Sequence, residues 1–334
     1  MQTQSTGSKR LINTITFFGG LFFTAFCVSD VLFASETGKS SAVQAIGIQA
    51  LPAESELMHF IADETVRVLG ERGITAERIA ADSEPAQTGS AAQPALYLAS
   101  LDSFMARWAD DVPTSIESGN TALMGDLSPV AEVVRDHQAF LMLDTPIRQQ
   151  LRTVFTRAHG AAGPMSIGGL SARGQRDHLV GMMLMDAAGQ DPTEYPYIEY
   201  ESLDALAIGL LTGDVGVASI PVSQALKMPL DGGIRIVASS TRQRQDILKR
   251  VPTLLSARID MTYTNYIGLY RQSEESDIEE PVVLSSLQAL SSSDRWSEQV
   301  YELGLVDDYT NEGSFTVNVL RELAKLKRFA DMLE

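Results

Sequence analysis

The sequence has a single cysteine, Cys27, in a chain of 334 residues. We expect the mature protein to contain none, because Cys27 lies in an apolar N-terminal segment typical of an export signal. A chain without cysteine has no disulfide, no thiolate metal site and no cysteine nucleophile. The folded protein must therefore be held together by its hydrophobic core alone.

Positive charge is also scarce. Against 43 aspartates and glutamates there are 26 lysines and arginines, which gives a net charge of −17. An acidic surface repels the phosphate backbone of nucleic acids. We therefore expect no nucleic-acid partner, and the acidity fits a soluble protein.

Signals for catalysis and for metal binding are missing as well. The four histidines, His59, His137, His159 and His178, are scattered without metal-ligand spacing. No G-x-S-x-G nucleophile elbow occurs. Asp177 and His178 are adjacent, so on a helix their side chains point about 100° apart rather than toward one serine. We therefore predict no enzymatic activity, no catalytic residue, no cofactor and no metal.

The N-terminal segment has the pattern of an export signal. Lys9 and Arg10 precede an apolar stretch that carries no charge before Asp30. We predict that residues 1–42 form a signal peptide and that the mature protein is periplasmic. Two alternatives stay open: an uncleaved anchor, since the stretch approaches the roughly 18–20 residues that span a bilayer, and lipid attachment at Cys27.

Short apolar strand patterns alternate with helical patterns along the chain, which indicates parallel α/β units. The length is enough for two domains. Two strand-like runs are predicted within 128–145, a helix over 146–160, and a mostly helical part from Glu279 onward. Further strands are predicted at 43–52, 94–100, 164–168, 195–200, 214–220, 233–240 and 262–272.

A glycine-rich loop opens one of the predicted helices, in SIGGLSARGQRDHLVGMMLMDAAG (166–189). The first amides of a helix have no partner within it and suit an anion. The segment from Gly168 to Gly174 is therefore a candidate anion site, with a hydroxyl from Ser171 and charge from Arg173 or Arg176. It does not end in the GK[ST] of a phosphate-binding loop. The alternative is an ordinary connection in which Ser171 caps the helix.

Several motifs follow one another in a recognisable order from about Leu127 to the end of the chain. They are LSPVAEVVRDHQAFLML, SIGGLSARGQRDHLVGMMLMDAAGQDP, IEYESLDALAIGLLTGDVGVAS, IRIVASSTRQRQDILKRVPTLL and YTNYIGLY. This order resembles that of the substrate-binding proteins of tripartite tricarboxylate transporters, the TctC or Bug family.

The resemblance implies an α/β, two-lobed fold of the periplasmic-binding-protein type II, with two crossing strands and a ligand cleft between the lobes. Lobe 1 would comprise residues 43–133 and 262–334, and lobe 2 residues 134–261. As a monomer, the protein would capture a small organic ligand by lobe closure and deliver it to a membrane permease of the tripartite tricarboxylate type. The family's usual ligand is a carboxylate.

Two alternatives accompany this implied function. The protein could sense a ligand for a membrane receptor kinase, or it could be a member that has lost carboxylate binding. The resemblance also implies ligand contacts from loops at helix starts and from a crossing strand. The residues predicted to contact the ligand are Pro52, Ser55, Gly168, Gly169, Ser171, His178, Tyr200, Ser219 and Tyr266.

Two of the family's ligand loops are altered in this sequence. The usual PGGGTD reads LPAESEL, which introduces Glu54 and Glu56. The usual Y.G.G reads Tyr200-Glu201-Ser202-Leu203, which replaces glycine and introduces Glu201. Negatively charged side chains repel a carboxylate ligand that binds next to them. Three explanations are open: the ligand carries an amine that pairs with these acids, selection rests on residues 168–171 alone, or ligand binding has been lost.

Overall fold

The computed structural model describes residues 46–51, 56–79, 95–105, 127–144, 159–160, 163–272 and 280–333. The export signal, Pro52, Glu54, Ser55 and nearly all of the helix expected over 146–160 lie outside these residues. The last two residues of that expected helix are described and form a short strand. Within the described ranges, no helix is long and apolar enough to cross a membrane.

Strands and helices alternate as the sequence predicts. The described strands are β1 (Ile46–Leu51), β2 (Ala76–Ile79), β3 (Ala95–Ser100), β4 (Leu127–Leu143), β5 (His159–Gly160), β6 (Gly163–Pro164), β7 (Ile167–Gly169), β8 (Tyr197–Glu199), β9 (Val217–Pro221), β10 (Ile234–Ser239), β11 (Thr264–Gln272) and β12 (Thr310–Asn311). The described helices are α1 (Glu56–Glu71), α2 (Leu101–Met105), α3 (Arg176–Ala187), α4 (Leu203–Thr212), α5 (Val222–Ala225), α6 (Glu280–Ser291), α7 (Asp294–Glu302) and α8 (Glu312–Ala330).

Ten of the described strands form one continuous sheet in the order β2-β1-β3-β11-β4-β9-β7-β8, and β10 and β12 also pair with β4. Strands β5 and β6 form a separate two-stranded sheet. Strands β1, β2 and β3 are parallel to one another, as are β7, β8 and β9. The antiparallel strands β4 and β11 connect these two parallel groups. This arrangement confirms the predicted α/β fold with two crossing strands; the lobe boundaries stay predictions.

The two strand-like runs predicted within 128–145 are in fact one strand, β4, of 17 residues. Its polar residues Glu132, Asp136 and Gln138 are buried. Each of them forms a hydrogen bond with another side chain, for example Asp136 with Ser223 on α5. Because buried polar groups are tolerated when they are hydrogen-bonded, the strand continues through them.

Hydrophobic packing covers both parallel groups with helices. Helices α1, α6 and α7 bury apolar residues against the first group, where Phe60 stacks on the fully buried Trp296 at 6.0 Å between ring centres. Helices α3 and α8 pack together near the second group, and α4 covers its other face. The helices thereby fix both groups on either side of β4 and β11.

One glycine on β11 allows the two crossing strands to pack closely with α8. A Cβ atom at Gly268 would lie 2.4 Å from the backbone oxygen of Ala131 and 2.4 Å from the ring of Phe315. We expect Gly268→Ala to lower the free energy of unfolding by about 1–3 kcal/mol, because the backbone of β4 must shift. Urea unfolding measures this. The control is Gly70→Ala on α1, where a Cβ atom would have no neighbour within 4 Å. There alanine is expected to stabilise the helix by about 0.5–1 kcal/mol. Equal changes in the free energy of unfolding for the two variants would contradict the prediction.

Candidate functional site

Carboxyl ends of strands from both parallel groups meet near the crossing strands. Strands β1 and β3 end at Leu51 and Ser100, while β7 and β9 end at Gly169 and Pro221. In open α/β sheets, ligands bind outside the carboxyl ends of the strands. A group of buried and half-buried polar side chains lies here, and we call it the crossing cluster. Its members are Asp102, Asp136, Gln138, Arg176, Asp177 and Ser219.

The amides of the glycine loop bind a carboxylate that belongs to the chain. The backbone N–H groups of Leu170 and Ser171 donate to Asp177 Oδ2 at 2.9 and 3.1 Å. In return, the Asp177 amide donates to Ser171 Oγ at 2.9 Å. The Ser171 hydroxyl therefore accepts from a free amide in the first turn of α3, close to the alternative considered from the sequence, although the N-cap residue itself is Gln175. Asp177 is completely buried, so a ligand carboxylate would need other donors or would have to displace it.

Arg176 connects the two sides of the crossing cluster. Its Nη1 forms an ion pair with Asp102 Oδ2 on α2, and its Nε lies 3.3 Å from Asp177 Oδ1. Only 12% of the arginine side chain is exposed. Burial raises the pKa of Asp102, and the charge of Arg176 opposes that shift. The guanidinium thereby pairs with the half-buried carboxylate of Asp102 on α2 and with the fully buried carboxylate of Asp177 on its own helix, α3.

Gln138 completes the network from the middle of β4. Its Nε2 donates to Asp177 Oδ1 at 2.8 Å and to Ser219 Oγ at 3.1 Å. Within the described part of the chain, Gln138 Oε1 and Asp102 Oδ1 are buried without a hydrogen-bond partner. A buried acceptor left without a donor costs free energy. These two oxygens are therefore open to a hydroxyl, an ammonium or a water molecule.

Asp136 adds a second buried carboxyl group to β4. Its Oδ2 accepts from Ser223 Oγ at 2.5 Å, and its Oδ1 accepts from the His137 amide at 2.8 Å. Burial raises the pKa of Asp136 to about 6, although these hydrogen bonds and Arg176 favour the charged form. The residue fastens α5 to the crossing strand.

His178 lies in the first turn of α3 and is only 2% exposed. Its Nδ1 accepts a hydrogen bond from the Gly174 amide at 2.9 Å, and its ring packs 4.6 Å from that of Tyr197. Tyr195 donates its hydroxyl to the His178 carbonyl oxygen at 2.7 Å. Burial, assisted by the charge of Arg173, lowers the pKa of His178 to about 4. The ring is therefore a neutral packing element that fixes the loop.

The depressed pKa of His178 predicts a loss of stability in acid. Between pH 6.5 and 4 the unfolded chain binds a proton at this residue and the folded chain does not, so stability falls as the pH falls. From pH 7 to pH 5, His178 is expected to contribute a loss of about 2 kcal/mol. His178→Asn keeps an acceptor but does not titrate. Urea unfolding at both pH values should show a smaller acid loss in this variant, and an unchanged difference would contradict the assignment.

Three further residues predicted from the sequence, Gly168, Gly169 and Tyr200, lie together at the ends of β7 and β8. The Tyr200 amide donates to the Gly169 carbonyl oxygen at 2.9 Å. The Tyr200 ring fills the space beside Gly168 and Gly209, since a Cβ atom at Gly209 would lie 2.2 Å from the tyrosine hydroxyl oxygen. Gly168, Gly169 and Tyr200 are thus brought together, with the ring directed at α4.

Tyr266 is apart from the crossing cluster. On β11 it pairs with Arg135 of β4, whose guanidinium carbon lies 5.4 Å from the centre of the tyrosine ring. Both residues line a cavity on the other face of the crossing strands. The structure therefore brings Ser171, His178 and Ser219 near one network and places Tyr266 elsewhere, while their contacts with a ligand stay predictions.

Four members of the crossing cluster were not among the ligand contacts predicted from the sequence and had no role assigned: Asp102, Asp136, Gln138 and Asp177. A signal for Asp102 is present, because it is the second residue after the apolar strand β3. Asp136 and Gln138 stand out as polar residues inside an apolar run. In the residues that the structure describes, no group of histidines, cysteines and carboxylates is arranged to hold a metal ion.

No protein-family model matches the sequence, and no curated protein matches it. Several solved structures are similar to this chain. A ligand-free TctC solute-binding protein from Polaromonas has a TM-score of 0.67 at 15% identity, covering 88% of this chain and 100% of that protein. An R. palustris protein with adipate has a TM-score of 0.60 at 15% identity, covering 86% and 96%. The periplasmic binding protein BugD has a TM-score of 0.58 at 16% identity, covering 86% and 96%.

These similarities extend over most of this chain and nearly all of each solved structure. At such low identity they establish the fold. The resemblance indicated by the sequence motifs is confirmed at that level. The chain has the two-lobed fold of the TctC and Bug periplasmic solute-binding proteins.

Proposed function

We propose that this protein is an exported, periplasmic solute-binding protein of the TctC and Bug type that captures a small carboxylate. Its lobes are residues 43–133 with 262–334, and residues 134–261. Closure of the lobes on the ligand shifts the protein to the form that a tripartite tricarboxylate-type permease recognises. It carries out no chemistry on the ligand. Support comes from the fold and from the adipate held by one protein of that fold.

One observation supports a carboxylate as the ligand. The guanidinium of Arg176 is almost fully buried between the two parallel groups of strands. Arginine presents a planar pair of donors that matches a carboxylate. In this structure, the carboxylate that it pairs with across the cluster belongs to Asp102. A ligand carboxylate that displaces Asp102 would bind to the same donors. The unpartnered Gln138 Oε1 would then accept from a hydroxyl of the ligand or from a water molecule.

The acidic residues of the altered loops do not oppose this ligand where the structure describes them. Glu56 and Glu201 are both exposed, so water screens their charge. Glu54 lies outside the described residues, as do Pro52 and Ser55, two of the three proposed contacts from lobe 1. The first explanation, an amine that pairs with these acids, therefore has less support than a carboxylate held at Arg176.

The test is a thermal-shift and calorimetric titration of residues 43–334 with adipate, citrate and other di- and tricarboxylates. A ligand at 100 times its dissociation constant is expected to add about 2.7 kcal/mol to the free energy of unfolding. Arg176→Lys should weaken binding at least about tenfold, because lysine lacks the paired donors. The exposed Arg328→Lys is the control. If no carboxylate binds, or if both variants bind equally, the proposal fails.

A second candidate function has an observation in its favour. The donors expected to hold a ligand carboxylate are occupied by the chain's own Asp102 and Asp177. A protein that keeps this fold but has lost carboxylate binding would have a site whose donors are bonded to carboxylates of its own chain. It would act through a protein partner, and failure of every carboxylate in the titration would select this candidate.

A further inference from the structure

A cavity of about 630 Å³ lies on the face of the crossing strands opposite the crossing cluster. Side chains alternate along a strand. Thus Arg135 and His137 line this cavity, while Asp136 and Gln138 belong to the cluster. Segment 241–247, α7, the connection before β12, and α8 enclose the other sides. A volume of this size is in the range of small-molecule sites.

Three arginines at this cavity have no ion pair within the described part of the chain. They are Arg242, Arg244 and Arg321, and all three are exposed. The two other cations of the lining are neutralised, since Arg135 pairs with Asp308 and Lys325 with Glu322. The remaining carboxylates of the lining are Asp246 and Asp307. For a chain with a net charge of −17, three free guanidiniums at one opening form a local site for negative charge.

The opening carries positively charged donors, whereas the interior of the cavity carries unpartnered hydrogen-bond acceptors. Glu322 is 5% exposed; its Oε1 accepts from Lys325 at 2.7 Å, while its Oε2 is buried without a partner. Gln245 donates to the Gly304 carbonyl oxygen at 3.2 Å, and its Oε1 is also buried without a partner. Both oxygens require a donor.

His137 contributes a further acceptor. Its Nδ1 lies 3.0 Å from the Tyr263 carbonyl oxygen, so Nδ1 carries the proton and donates it. In the neutral ring, Nε2 is then an acceptor. The ring is 8% exposed and lines the cavity. The interior therefore offers a carboxylate oxygen, an amide oxygen and an imidazole nitrogen beneath a positively charged opening.

We propose that this cavity is a second ligand site, which binds a small acidic zwitterion with the chemistry of an acidic amino acid. Its carboxylates bind to Arg242, Arg244 and Arg321 at the opening. Its ammonium group donates to Glu322 Oε2 and Gln245 Oε1 inside. A plain anion would leave these two buried acceptors unpartnered, whereas a zwitterion satisfies both parts of the site.

The location also separates this site from the proposed carboxylate site. The cavity is lined by strands β4 and β11 from one side, and the crossing cluster lies on the other side of the same strands. The two sites share no lining side chain. Loss of one is therefore distinguishable from loss of the other by substitutions in each.

The experiment is calorimetric titration of the full chain carrying Arg176→Lys, which weakens the proposed carboxylate site, with L-glutamate, with glutarate, which lacks only the ammonium group, and with inorganic phosphate. We expect glutamate to bind at least tenfold more tightly than glutarate and phosphate. The double variant Arg242→Ala/Arg244→Ala should weaken glutamate binding at least tenfold. Glu322→Gln should remove the preference for glutamate over glutarate, and its melting curve reports whether it is folded.

One control variant completes the design. Arg328→Ala, which removes an exposed arginine on α8 outside this cavity, should leave glutamate binding unchanged when it is added to the same chain. The proposal is overturned if glutamate does not bind this chain at millimolar concentration, if phosphate or glutarate binds it as tightly, or if the double variant binds glutamate as tightly as the chain without the two alanines.

Discussion

Arg176→Met is expected to lower the free energy of unfolding by about 3–5 kcal/mol, the cost of removing one partner from a buried ion pair. The substitution leaves Asp102 and Asp177 without the guanidinium that pairs with both. Asp177 is fully buried, so its charge cannot be solvated by water. Methionine fills a similar volume, which keeps the packing loss small. Urea unfolding at pH 7 measures the effect.

A matched substitution and a double variant test the cause. Arg328→Met removes an arginine whose side chain is 61% exposed and whose partner, Asp186, is 3.4 Å away; its cost should be at most about 1 kcal/mol. Adding Asp102→Asn to Arg176→Met should restore part of the loss, because it removes one of the uncompensated charges. If Arg176→Met costs no more than Arg328→Met, the guanidinium does not neutralise this cluster.

The parts of the fold that follow from local signals could be predicted from the sequence. Helix α4 is an example: the Ser202 hydroxyl accepts from the Ala205 amide at its start, and Gly213 ends it with φ 82. Serine at a helix start and glycine just past its end are local preferences that depend on few neighbours. The alternation of such units then indicates parallel strands, and the structure contains them.

The crossing cluster could not be predicted in the same way, because its bonds join distant parts of the chain. Gln138 and Asp177 are 39 residues apart, and Asp102 and Arg176 are 74 apart. The sequence indicated a helix start with free amides but not which carboxylate would reach them. Asp177 follows Arg176 on the same helix, and the loop turns back so that its own side chain binds those amides.

Asp177→Ala is expected to raise the affinity for adipate at least about tenfold, the equivalent of 1.4 kcal/mol. The internal carboxylate competes with a ligand for the amides of Leu170 and Ser171 and for Arg176 Nε. Removing it frees these donors, and a hydrogen bond to a charged group contributes about 1.5–3 kcal/mol. Calorimetric titration of the variant and of the unmodified chain with adipate measures the change.

Asp186→Ala is the control for this substitution, because Asp186 lies on the same helix and is exposed, with Arg328 at 3.4 Å; its adipate affinity should not change. Asp177→Ala should also be less stable, since it removes a carboxylate that holds the loop against α3. Affinity and stability therefore move in opposite directions at Asp177, whereas both decrease at Arg176. A ligand site that is blocked by a carboxylate of its own chain must bind adipate more tightly once that carboxylate is removed. An unchanged or lower adipate affinity in Asp177→Ala would therefore show that the amides of Leu170 and Ser171 stabilise only the fold.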